Sequence, residues 1–165
     1  MGLSEDQERI ALQERELVLP RLDAQVAWEL GVRLRTMAEE RDLSLVIDVR
    51  RFGQPLFYAA LEGTTPNNAE WVRRKSNVVA RFHRSSYAIG LNLKAKNETL
   101  FEKQGMPLAD YATNGGSFPL TVAEAGVVGS VTVSGLAQRD DHELVVEALC
   151  AMLKRDYAAL RLGPE

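Results

Sequence analysis

One cysteine and two histidines are all the thiol and imidazole chemistry this chain carries. With Cys150 alone no internal disulfide can form, and a reducing compartment is the default. No apolar run approaches the ~20 residues needed to span a bilayer, so no membrane partner is expected. Several catalytic signatures are missing: Ser-His-Asp, Cys-x-x-Cys, His-Glu-x-x-His and Gly-x-Gly-x-x-Gly. The formal net charge is −3. That balance argues against a broad nucleic-acid-binding surface, and no nucleic-acid partner is expected. The opening MGLSEDQERI is acidic and polar where a secretory signal is basic and then apolar. The expected location is therefore cytoplasmic.

What remains is an ordinary globular composition. The chain has 165 residues, 45% hydrophobic and 26% charged, enough for one domain with a real core over 1–165. Residues 4–16 are polar and helix-prone, with Ser4 as the expected N-cap. Leu3, Ile10 and Leu17 recur every seven residues. That thin seam makes residues 1–19 a helical extension able to dock on a neighbour, including another copy of the chain. Residues 17–20 read as a short edge strand stopped by Pro20. Asp23 caps a helix running to about residue 41, with Val26, Leu30, Leu34 and Met37 on one face. Residues 43–52 alternate as a strand, Gly53-Gln54 turns, and 55–63 is the returning strand. Thr65-Pro66 opens a long helix that reaches about Leu93, with Trp71, Val78, Phe82 and Ile89 on one stripe. A short helix and a loop follow over 94–112. Two strands are expected around 117–122 and 127–134, then a last helix over 141–160. Strands come in adjacent pairs, which favours an α+β fold with an antiparallel sheet covered by helices.

Three features carry candidate chemistry, and each has an ordinary structural alternative. Gly115 and Gly116 allow positive φ and a close ligand approach to bare backbone; they equally make a turn into a strand. No G-K-[ST] follows, so this is not a phosphate loop. Asp140 and Glu143 have capping-box spacing, and Asp141 adds negative charge at the positive end of the helix dipole. His142, in the first turn, could point at solvent or at a neighbouring site, and could move protons or bind metal or haem iron. The alternative is a capped helix start with an incidental histidine. Arg74, Arg81 and Ser85 share one helical stripe; Arg73, Asn77 and Arg84 share the next. Such a basic face can hold carboxylates, or it can be a solvated face paired with acidic residues elsewhere. Lys75 falls off both stripes, where its stem could snorkel along the apolar edge. His83 is expected to be exposed, and Cys150 to be a buried packing residue.

The segments W-V-R-R-K-S…R-F-H-R-S-S from Trp71, G-G-S-F-P-L from Gly115 and V-G-S-V-T-V-S-G-L-A-Q-R-D-D-H-E-L-V-V-E-A-L to Leu149 together resemble the haem-degrading-domain family. That family is related to a bacterial haem-binding sensor and to a domain associated with glycolate-utilisation operons. The resemblance spans about residues 20–160. It implies a profilin-like α-β-α sandwich with an antiparallel sheet of about five strands, homo-oligomers, and binding of haem or other small ligands. Its recurrent features fall on Lys75, Gly115, Gly116, Pro119, Gly135, Asp141 and His142.

The leading expectation is an oligomeric small-molecule-binding protein. Its ligand would be anionic and partly apolar, held by the Gly115-Gly116 backbone and by Arg74 or Lys75, with Asp141 in the site and His142 at the rim. A second expectation is a haem-binding or haem-degrading enzyme with His142 or His83 as axial ligand. A third is an assembly or partner-docking protein that uses the N-terminal seam. The sequence leaves open whether any reaction is catalysed.

Overall fold

Five strands form one sheet in the computed structural model, which describes residues 2–165. They are β1 (Val18–Leu19), β2 (Val46–Arg51), β3 (Gln54–Ala60), β4 (Ser117–Val122) and β5 (Gly126–Ser134). Their spatial order is β1-β4-β5-β2-β3. β2 with β3 and β4 with β5 pair antiparallel, as expected for hairpin neighbours, and β2 also pairs antiparallel with β5. β1 joins the edge parallel to β4, through Val18 opposite Thr121 and Leu19 opposite Val122. The sheet is therefore mixed. A strand that meets its neighbour only after a hundred residues of intervening chain is not bound to hairpin geometry.

Period-two alternation gives this sheet two unlike faces. Leu45, Ile47, Val49, Phe118, Leu120, Val131 and Val133 point to one side and are all essentially inaccessible. They pack against α2 (Ala24–Glu40) and α6 (Gln138–Leu153) in the main core. Each such side chain contributes about 1.5–3 kcal/mol on burial. The opposite side carries Asp48, Ser117, Ser130, Thr132 and Ser134, also buried. α3 (Pro66–Phe82) lies across that polar face, packed against β5, β4 and β2. The result is an α-β-α sandwich with one apolar and one polar interlayer.

The helices depart from expectation at their ends. The long helix through Leu93 is two: α3 and α4 (Ser86–Lys96). His83 takes a left-handed conformation at φ 56, and Ser85 caps α4 by accepting from the Ala88 amide. The Glu14 carboxylate accepts from the Ser85 amide and from Arg84 at the same break. A short α5 (Leu100–Gln104) and a loop follow, as expected. The terminal helix also divides, into α6 and α7 (Tyr157–Leu160), where Lys154 turns left-handed at φ 55.

The N-terminal α1 (Leu3–Glu16) starts after Gly2, whose amide donates to Glu5, so Ser4 lies inside the helix and is not its cap. α1 packs on α4 and α7 of the same chain. Ile10 is buried with Tyr87, Ala88, Leu91 and Leu162, and Leu17 joins the main core. Most of the heptad-spaced seam is thus consumed within the chain.

Candidate functional site

α3 runs across the polar face so that one of its residues reaches the end of β5. That residue is Lys75. A basic side chain cannot stay uncompensated in this position, and it does not: Lys75 is 3% exposed, and its Nζ donates to Asp141 Oδ2 at 2.9 Å. A second, longer contact reaches the Val133 carbonyl at 3.4 Å. Asp141 is 1% exposed, and its other oxygen accepts from the Leu136 amide at 2.9 Å. The pair therefore ties α3 to the loop between β5 and α6. Burial pushes the Asp141 carboxyl above the usual carboxylate range, while Lys75 and the Leu136 amide pull the other way.

The Lys75–Asp141 pair forms part of the wall of a cleft of about 220 Å³. Asn68 and Trp71 enter it from α3, Asn114 from the loop before β4, Ser134 from β5, and Gln138 from the first turn of α6. Trp71 is half-buried and supplies the aromatic wall. Its ring is backed by the Arg74 guanidinium, 4.6 Å from the ring centroid. The lining is amide, hydroxyl and indole around one compensated ion pair. Its chemistry suits a small, uncharged molecule bearing hydroxyls or carbonyls.

The expected site residues fall into four positions. Lys75 and Asp141 meet in the cleft; Lys75 does not snorkel at an apolar edge. Arg74 is outside the cleft. Its Nε donates to the Leu108 carbonyl at 2.8 Å, and it braces Trp71 from behind and does not hold an anion there. Three other residues of the basic face are also engaged: Arg73 with Glu70 and Asp110, Arg84 with Glu14, and Asn77 with the Asp110 carbonyl.

Gly115 and Gly116 lie behind the cleft wall and do not line the cleft. The Gly115 amide donates to Gln138 Oε1, and the Gly116 carbonyl accepts from Val133. Glycine is needed at 116 for packing. Its φ is +138, and a Cβ would stand 2.6 Å from the Val133 carbonyl oxygen and 2.8 Å from Lys75 Nζ. The bare backbone thus makes room for the ammonium.

His142 is not at the rim. It is 1% exposed, and its Nε2 lies 2.8 Å from Gln13 Oε1. Gln13 Nε2 donates to the Leu160 carbonyl, so its oxygen faces the imidazole and Nε2 carries the proton. Nδ1 has no partner among the described residues. The ring packs between Tyr87 and Phe118. Burial, reinforced by Arg139, lowers its pKa to about 3. The helix start explains this placement. α6 begins at Gln138 after Ala137, so Asp140 and Glu143 make no capping box and the helical phase turns His142 inward. Glu143 accepts instead from Tyr157 and from the Leu162 amide. His83 is exposed and stacks on Phe52 at 5.4 Å. Cys150 is fully buried, with its thiol pushed up to about 11, which leaves it inert.

Sequence reading did not find Asn68, Asn114, Ser134 or Gln138, and it placed Trp71 on the apolar stripe. One signal was present. In V-G-S-V-T-V-S the small hydroxyl residues alternate with valine, which marks a buried polar sheet face.

A family model described as haem degrading protein HbpS-like matches residues 22–150. A UPF0303 protein of Acidobacterium capsulatum is 62% identical over 162 residues, covering 98% of each chain. One of Paraburkholderia phymatum is 57% identical over 163 residues, covering 99% of each. Among solved structures, the Ybr137w protein is similar at a TM-score of 0.82 and 27% identity, over 90% of this chain and 87% of that one. A PduOC:heme complex shares the fold at a TM-score of 0.68 and 14% identity, over 79% of this chain and 94% of that one. Over most of its length, then, the chain belongs to the haem degrading protein HbpS-like family.

Proposed function

We propose that this chain is a small-molecule-binding protein that works as a homo-oligomer and takes a small, polar, uncharged ligand in the Lys75–Asp141 cleft. The observation that carries this reading is a buried ion pair bordering an open polar cavity. Buried charge in a cleft marks a candidate site with a physical cause. The ligand charge differs from the sequence-based expectation. Lys75 is already compensated and Arg74 points elsewhere, so the lining offers no free cation for an anion. Homo-oligomerisation is supported by the family resemblance. It is also supported by Trp28 and Tyr58, large side chains 58% and 50% exposed beside the unpaired edge of β3.

The test uses Trp71 as its own reporter. The chain has two tryptophans, and Trp28→Phe leaves only the one in the cleft. Titration with glycerol and dihydroxyacetone should give a saturable change in Trp71 emission, lost in Ser134→Val. A flat response to both would reject the cleft as the binding site.

Haem is the ligand that the family description names, and the cleft does not fit it. A volume of about 220 Å³ lies below the roughly 300–1,000 Å³ of drug-sized sites, and no imidazole lines it. His142 is sealed in the core by Gln13, Tyr87 and Phe118. One observation keeps a second reading: His83 is an exposed imidazole, and a surface haem contact would run through it. Haemin titration followed by absorbance separates the cases. A saturable Soret shift lost in His83→Ala supports surface haem binding; a shift indifferent to His83 rejects it.

A further inference from the structure

The chain holds five lysines, and one of them is unlike the rest. Lys94, Lys96, Lys103 and Lys154 are exposed; Lys75 is buried and borders the cleft. We propose that Lys75 captures small aldehydes or ketones as a reversible imine, with Asp141 carrying the protons. The inference rests on the cleft being the binding site, and it names the class of ligand the cleft takes.

Geometry supports the amine as a nucleophile. An ammonium has three N–H bonds. One is directed at Asp141 Oδ2 at 2.9 Å, and the Val133 carbonyl at 3.4 Å is the other protein acceptor. That leaves a direction on Nζ with no protein partner among the described residues, in a residue that lines the cavity. Gly116 keeps the surroundings of Nζ clear, since any Cβ there would stand 2.8 Å away. The remaining walls offer carboxamides at Asn68, Asn114 and Gln138 and a hydroxyl at Ser134. These groups donate to a carbonyl oxygen and accept from neighbouring hydroxyls. A short hydroxy-aldehyde or hydroxy-ketone matches both the size and the polarity.

The proton has a place to go. Burial disfavours separated charge, and it pushes the Asp141 carboxyl up. The ion pair can therefore pass to a neutral amine beside a neutral acid along a single hydrogen bond. The amine lone pair then attacks the carbonyl carbon, a C–N bond forms, and the carbonyl oxygen takes the proton from Asp141. Asp141, again a carboxylate, accepts one of the two N–H protons of the carbinolamine nitrogen. The hydroxyl leaves with that proton as water, and Asp141 takes up the last N–H proton, which leaves a neutral imine beside a neutral acid. Overall, amine and carbonyl give imine and water, with no change of oxidation state, and hydrolysis reverses it.

The test uses the intact wild-type protein with dihydroxyacetone or glyceraldehyde and sodium cyanoborohydride, which fixes the imine as a secondary amine. Peptide mass spectrometry then reads the label at each lysine. Lys75 should label at least about tenfold faster than the exposed Lys94, Lys96, Lys103 and Lys154. Asp141→Asn, if folded by circular dichroism, should lose that advantage. Label at Lys75 no faster than at the exposed lysines would overturn the proposal. Glycerol, which cannot form an imine, distinguishes the two failures. If it perturbs Trp71 while Lys75 stays unlabelled, the imine is wrong and the binding cleft stands. If neither occurs, both are wrong.

Discussion

At the scale of single residues, the decisive contact is Lys75 with Asp141. Its members are unequal in what they leave behind. Removing the carboxylate strands an ammonium that is 3% exposed. Removing the ammonium strands a carboxyl that can take up a proton and still accept from Leu136. Asp141→Ala is therefore expected to lose about 3–5 kcal/mol at neutral pH, the usual result of breaking a buried pair. Lys75→Met should lose less. Its loss should also depend on pH in a stated direction. The Asp141 pKa is raised by burial, more so without Lys75, so the protonated form is the folded-state favourite. The deficit of Lys75→Met against wild type should then be smallest below the unfolded carboxyl value of about 3.9 and grow as pH rises above it. Urea unfolding of both variants at several pH values checks the order and the slope; equal losses with no slope would count against a buried, coupled pair.

At the scale of elements, α1 and α6 are joined by a short polar ladder. Gln13 on α1 bonds His142, and Asp6 accepts from Arg139 at 2.6 and 3.1 Å. His142 makes this joint acid-sensitive. Its folded pKa of about 3 lies below the unfolded value of about 6.5, so the unfolded chain binds the proton first. The stability it contributes is complete above pH 6.5 and is lost as pH falls towards 3. The loss between pH 7 and pH 5 is about 2 kcal/mol. Asp141 acts in the opposite sense, so the comparison must be with a variant. His142→Phe should flatten the fall between pH 7 and pH 5, read by thermal unfolding; an unchanged fall would mean that another group drives it.

The same elements show what was legible in the sequence. Hairpins, the Asp23-capped helix and the strand limits near 117 and 134 followed from local pattern, because turn glycines, caps and alternation act over a few residues. Helix ends at His83 and Lys154 did not. Both residues adopt left-handed backbone without being glycine or asparagine, and at the first break the anchoring partner is Glu14, about seventy positions away. Lys75 and Asp141 were marked as site residues through the family resemblance, while their partnership spans 66 positions and has no local signature. His142 was misplaced for a related reason. The onset of α6 at Gln138 sets its phase, and a three-residue error there turns a rim residue into a core one.

At the scale of the whole molecule, the N-terminal segment is part of the packed body. Ile10 and Gln13 are fully buried, and Leu17 sits in the main core. Deleting residues 1–19 removes β1 as well as α1 and uncovers Tyr87 and His142. The expected outcome is a large drop in thermal stability with aggregation. A stable, folded protein of lower oligomer mass, measured by sedimentation, would instead make this segment a dedicated assembly contact. An oligomer built through the β3 edge would lose mass on Trp28→Asp with Tyr58→Asp while its monomer stays folded.

The proposed function stands or falls on whether the space beside Lys75 and Asp141 binds a small polar molecule. The most direct measurement is a ¹H–¹⁵N spectrum of the labelled protein titrated with dihydroxyacetone. Saturable shifts confined to Asn68, Trp71, Asn114, Ser134 and Gln138 are the predicted result. No shifts there, or shifts gathered around His83 or β3, would contradict it.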